Sequence, residues 1–132
     1  MLSVILASVI LGTVQMPEPG PSRPAVECAE HLTDLRARRA CLESLLEASD
    51  DALEAAVAAA RTEAAVSDLD SGGLFRAEAN LEAAQSAWLV YRDAECSRRG
   101  ALMFISDEAR EEIGLDCRIA LNRARTAELR EM

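Results

Sequence analysis

Hydrophobic positions divide the chain into regions with different periods. Leu2 to Val14 is an apolar run interrupted only by Ser3, Ser8, Gly12 and Thr13, and Met1 to Gln15 carry no charged side chain. A run of this length matches the core of an export signal and falls short of the roughly 20 residues a spanning helix needs, so no stable membrane span is expected. No Lys or Arg precedes it and no small-x-small cleavage site follows, which fits translation starting upstream of Met1. Met16 to Pro24 then places four prolines in nine residues, the composition of an extended, unpacked linker. The expected organisation is an export segment at 1–15, a Pro-rich linker at 16–25 and one domain at 26–132. No Cys follows the apolar run directly, so a lipid anchor is not expected.

Within the domain the period becomes helical. Leu35, Leu42, Leu46, Ser49, Leu53, Ala56, Ala60 and Ala64 recur at steps of three, four or seven and define one stripe of a long first helix. Thr33 reads as its N-cap, with Asp34 in the first turn where a carboxylate meets the positive end of the helix dipole. Asp68 to Gly73 ends the pattern with short polar residues and paired glycines, the signature of a turn. A second stripe follows through Leu74, Ala77, Leu81, Ala84, Trp88, Tyr91 and Glu95, until Gly100 interrupts it. Ser106 reads as the cap of a third helix whose stripe is Ala109, Ile113, Cys117, Ala120, Ala124 and Ala127, with Leu121 and Leu129 alongside. Short connections make such helices antiparallel neighbours, so the predicted fold is all-α, a small antiparallel three-helix bundle.

Composition agrees with that pattern. The 132 residues suit a single domain; 25 are Ala and only 3% are aromatic, which favours helix over a sandwich or barrel. Ala-rich seams bury little area per residue, so the bundle needs staples. The charge changes the functional picture: 14 Arg and no Lys stand against 23 Asp and Glu, for a net charge of −9. A nucleic-acid partner is not expected, because phosphate contacts need clustered basic residues. An acidic chain is better matched to a basic protein, and the sequence does not decide an oligomeric state.

The staples are in the cysteines. Cys28, Cys41, Cys96 and Cys117 are an even set behind an export signal, the arithmetic of two disulfides. Zinc is disfavoured because no pair has the close spacing of a zinc knuckle and His31 is badly placed to complete one; no metal and no cofactor are expected. Reach along the chain permits Cys28 with Cys41 and Cys96 with Cys117, the favoured pairing. Cys41 with Cys96 is the rival, since an antiparallel hairpin turning near Gly72 brings both to similar levels.

The densest motif lies on the second helix, from Ala84 to Cys96. Trp88 and Arg92, four residues apart, can stack as a cation–π pair, with Tyr91 on the same face and Asp93 and Glu95 toward the other. The simplest reading makes Trp88 and Tyr91 the largest core residues and pairs Arg92 with a carboxylate on a neighbouring helix; a ligand-binding role is the alternative. The string Gln85, Trp88, Tyr91, Arg92, Asp93, Glu95 and Cys96, followed by Cys117 and then by Arg125, Glu128 and Leu129, resembles the LprI-type lysozyme-inhibitor domain of bacterial envelope proteins. The resemblance spans about Glu27 to Leu129. Cys28, Cys41, Asp50 or Asp51 and Leu53 fit the family's first half, whereas Glu54 and Val57 stand where it has Asn and Tyr. Arg98 to Ser106 replaces the family's Gly-Gly-Ser segment.

That resemblance implies a periplasmic or secreted helical protein that binds lysozyme and inhibits it, and the acidic charge is compatible with a basic partner. The rival function is an envelope interaction module with no lysozyme activity. An enzyme is the poorest reading, and none of the residues is assigned a catalytic role. The sole His lies beside the first staple, no thiol is expected to remain free, no Gly-rich phosphate loop occurs, and Glu43 and Glu47 read as an ordinary solvated pair.

Overall fold

A computed structural model describes residues 23–131, so the expected export segment and most of the expected linker, residues 16–22, lie outside the described residues. The chain forms a short α1 (Pro24–Glu27), a 3₁₀ turn (Ala29–His31), and three long helices, α2 (Leu35–Ser71), α3 (Ala77–Ala101) and α4 (Asp107–Arg130). The all-α three-helix bundle anticipated from periodicity is therefore the architecture of the body, with an additional strap in front of it. That strap includes the last residues of the expected linker: Pro24 is buried and opens α1, where its fixed φ and missing N–H are suited to a first turn.

The ends of the helices are closed by local chemistry. Asp34 caps α2, its Oδ1 accepting from the N–H groups of Arg36 and Ala37 at 3.1 and 3.0 Å. The expected cap, Thr33, sits one residue too early, because the aspartate reaches the orphan amides better from the cap than from inside the first turn. Ser106 caps α4 as expected, accepting from Ala109 N–H at 3.1 Å. At the α2–α3 turn, Gly73 N–H donates to Asp68 O and Gly72 N–H to Leu69 O, the bond pair of a Schellman motif, with both glycines at positive φ. Arg76 enters α3 in the left-handed region at φ 51° and offers no side-chain cap. Asp68 supplies the cap instead from across the turn, accepting from Ala77 N–H at 2.6 Å and Glu78 N–H at 3.0 Å.

The core follows the predicted stripe of α2 closely: Leu42, Ser49, Leu53, Ala56 and Ala60 are buried. Its first member, Leu35, is exposed, because the helix begins there at the open end of the bundle. Trp88 of α3 packs half-buried with Leu81 and Val57 against Leu53, Ala56, Ala60 and Leu129. A second cluster joins Cys28, Leu42 and Ile119, with Leu45, Leu46 and Leu115 around it.

Two parts of the periodic reading are corrected. Tyr91 and Leu74 are exposed, Tyr91 at 55% of its surface, so Trp88 alone is the large aromatic of the seam. On α4 the buried face is Asp116, Cys117, Ile119, Asn122, Thr126 and Leu129, whereas Ala120, Ala124 and Ala127 are exposed. The alanines are helix formers on a solvated face. The true seam alternates by three and four through Leu115, Ile119, Asn122, Thr126 and Leu129, and two of its members are polar.

Both disulfides take the favoured pairing. Cys28–Cys41 ties the strap to α2 with a Cα separation of 6.0 Å, and Cys96–Cys117 ties α3 to α4 at 5.5 Å. A second fastening holds the strap to α4: buried Asp116 accepts from Ala25 N–H at 2.7 Å and from Arg23 Nη2 at 3.1 Å. Glu27 adds an ion pair with Arg123, whose hydrogen bonds hold the Glu27 carboxyl below its usual range.

Candidate functional site

The sequence motif maps onto the place where all three long helices meet. Arg92 of α3 donates from Nη1 to Asn122 Oδ1 of α4 at 2.9 Å, and from Nε to Asp93 Oδ1 at 3.0 Å. The same Nη1 lies 3.5 Å from Asp50 Oδ1 of α2, the neighbouring-helix carboxylate that the simplest reading of the motif required. Asn122, fully buried, donates from Nδ2 to Asp50 Oδ1 at 2.7 Å and to Ser49 Oγ at 3.0 Å. Ser49 Oγ in turn donates a hydrogen bond to Leu46 O at 2.8 Å. The guanidinium of Arg92 lies over the Trp88 ring, 5.7 Å from its centroid, so the cation–π pair expected from their spacing is present.

The remaining motif residues surround this lock. Gln85 Oε1 accepts from Arg125 Nε at 3.3 Å, and Arg125 also pairs with Glu128 at 2.9 Å. Leu129 is in the core with Trp88. Glu95 is largely covered and accepts two hydrogen bonds from Arg98 and one from Arg99, all on α3. These bonds, those of Arg98 first, lower its carboxyl to about 2. Tyr91 departs from the group and faces solvent.

This arrangement does mechanical work. A buried amide that bridges an arginine, an aspartate and a serine from other helices fixes rotation and register in an Ala-rich bundle that apolar packing alone specifies weakly. Reasoning from the sequence missed Asn122, Ser49 as a polar contact, Asp116 and Asp68. The usable signal was present for Asn122, which falls three residues after Ile119 and seven before Leu129 on the seam.

Among the described residues no group of three His, Cys, Asp or Glu side chains is placed to hold a metal ion, and every cysteine is in a disulfide. His31 pairs with its neighbour Glu30, at 3.3 Å. A shallow groove between the starts of α2 and α4 has an apolar floor of Leu35, Leu42 and Leu115 and is spanned by the Arg39–Glu111 ion pair. No described helix is long and apolar enough to cross a membrane.

The surface is electrostatically uneven along its length. Residues 43–82, which span all of α2 but its first two turns, the turn and the start of α3, contain ten carboxylates and two arginines, a net −8 out of the chain's −9. The rest of the chain is close to neutral. Exposed large apolar side chains include Leu69, Leu74 and Phe75 at the α2–α3 turn, Leu102, Phe104 and Ile105 at the α3–α4 connection, and Leu89, Val90 and Tyr91 along α3.

Fold and surface together define a disulfide-stapled helical protein whose internal polar residues lock a scaffold. Comparison with family models makes this specific: the model of the lysozyme inhibitor LprI matches residues 28–129, and the chain belongs to that family. No curated protein and no solved structure matches the chain.

Proposed function

We propose that this protein is exported to the periplasm or beyond and inhibits lysozyme by direct, non-catalytic binding. The observation that carries the reading is the match to an inhibitor family across both disulfides and the whole three-helix body. Two features support it. Paired disulfides are the chemistry of an oxidising, extracytoplasmic compartment. The concentration of negative charge in residues 43–82 creates a field that speeds the encounter with a basic lysozyme.

The test is lysis of a cell-wall suspension by a common-type animal lysozyme of high pI, titrated with the oxidised protein. Inhibition that saturates near equimolar addition supports the reading. Undiminished lysis at large excess, with no complex detectable by titration calorimetry, overturns it in favour of an envelope interaction module. Export is checked separately by fractionation: a full-length chain in the cytosol with reduced thiols contradicts it.

A further inference from the structure

We infer that the α2–α3 hairpin tip is the element that docks on the basic partner, an inference that rests on the lysozyme reading above and adds the surface. The helix registers make this hairpin a projection. Ser49 bonds Asn122 and Arg38 pairs with Glu112, so each residue of α4 lies beside the α2 residue 73 or 74 positions earlier. α4 ends at Arg130, and its last core residue, Leu129, clusters with α2 no farther along than Ala60. Past Ala60, α2 has only α3 beside it among the described residues. Eleven further residues of α2 therefore carry a two-helix arm about 16 Å beyond the body.

The arm is rigid and its end is apolar. The Asp68 cap, the Schellman bonds, the Arg61–Glu82 ion pair at 2.6 Å and the bond from Asn80 Nδ2 to Phe75 O at 3.1 Å hold the turn in one conformation. None of them covers Leu69, Leu74 or Phe75, which are 81, 73 and 68% exposed. Three large apolar side chains on a preorganised turn cost little ordering entropy on binding, the property of an interface anchor. Glu63, Asp70 and Glu78 are exposed carboxylates on the same arm.

Charge decides between the two ends of the molecule. The opposite apolar end, Leu102, Phe104 and Ile105, lies among Arg98, Arg99 and Arg110 as well as Asp107 and Glu108, a mixed surface with no bias toward a basic protein. The hairpin arm, residues 61–82, carries five carboxylates against two arginines, a net −3. An apolar anchor inside an acidic rim is complementary to a strongly basic protein surface, with the rim governing the encounter and the anchor governing residence.

The experiment compares the wild type with two triple variants in the same lysozyme assay and by surface-immobilised binding kinetics. One is Leu69→Ser, Leu74→Ser, Phe75→Ser at the tip; the other is Leu102→Ser, Phe104→Ser, Ile105→Ser at the opposite end. All six positions are exposed, and thermal melts verify that each variant stays folded. The expected result is a loss of at least about tenfold in affinity for the tip variant, mainly through faster dissociation, and less than about twofold for the other. A further variant, Glu63→Gln, Asp70→Asn, Glu78→Gln, is expected to slow association at low salt, with the difference closing as salt is raised. If the wild type inhibits and the tip variant inhibits equally well, the docking assignment is wrong and the lysozyme reading stands. A wild type that binds no lysozyme overturns both.

Discussion

Asn122→Ala tests whether the polar lock holds the bundle. The substitution removes three hydrogen bonds at once: one from Arg92, one to Asp50 and one to Ser49. Two of these involve a charged partner, for which removal costs about 1.5 to 3 kcal/mol each, and the neutral one is worth about 1 kcal/mol. The full sum overstates the loss. Asp50 is half exposed and regains water, Arg92 keeps Asp93, and Ser49 keeps Leu46 O. The residue itself is fully buried, so truncation also leaves a small cavity. Together these place the destabilisation near 3 kcal/mol, which for a domain of about 100 residues is a fall of roughly 15 °C in melting temperature. Urea unfolding followed by circular dichroism measures it, with a double-mutant cycle against Ser49→Ala. The cycle is expected to show coupling of about 0.5 kcal/mol or more, as contacting residues in one network do. A loss below about 1 kcal/mol refutes the reasoning, since the lock would then be incidental to stability and the alanine-lined seams sufficient on their own.

Other consequences follow from the same packing. Trp88→Ala is expected to cost about 3 kcal/mol, the low end of the range for aromatic truncation because the ring is only half-buried; a melt within a few degrees of wild type would make its packing on Leu53, Ala56 and Leu129 unimportant. Thr126→Val is expected to stabilise by about 1 kcal/mol, because the hydroxyl is buried with no hydrogen-bond partner among the described residues and valine keeps the branched shape. A loss of stability would reveal a partner for that oxygen. Stability is expected to fall on acidification from about pH 4.5, the ordinary glutamate value, toward about 2, where folded Glu95 titrates. Its folded pKa is depressed, so its contribution is complete above the unfolded value and is lost as protons bind the folded state; Glu27 and Glu108 are lowered in the same sense, by Arg123 and by the α4 N-terminus. Glu95→Gln should flatten the stability profile in that window, and an unchanged slope would assign the acid sensitivity elsewhere.

What could be read from the sequence, and what could not, divides along a physical line. Helix existence, the turn at Gly72 and Gly73, the Ser106 cap, the α2 core stripe and the disulfide pairing all depend on interactions within a short span or on chain reach, and each is present in the structure. The errors occur where composition and burial separate. Ala120, Ala124 and Ala127 have the period of a buried stripe, but alanine stabilises an exposed helical face as readily as a seam, so its period does not report burial. Asn122 and Asp116 were passed over because polar residues are ordinarily solvated, and their burial depends on partners supplied from 30 to 93 positions away in sequence. Tyr91 was assigned to the core through its motif neighbours; at about 100° per residue it lies roughly 60° around the helix from Trp88, which is enough to carry it past the edge of the buried face into solvent.

The same division separates scaffold from function. Gln85, Trp88, Arg92, Arg125 and Leu129, the best-defined part of the family motif, face other helices rather than solvent, so the motif identifies how the bundle is locked. A protein that binds through the surface it leaves exposed can retain such a motif while its contact residues change, because the lock constrains only the interior. The arm beyond Ala60 is the part of the fold least constrained by that lock: it touches neither α4 nor either disulfide, and it is held by its own Asp68 cap and Arg61–Glu82 pair. If the arm is the docking element proposed above, its separate bracing lets the contact surface vary without loss of the fold, so affinity and stability are expected to respond to different sets of substitutions.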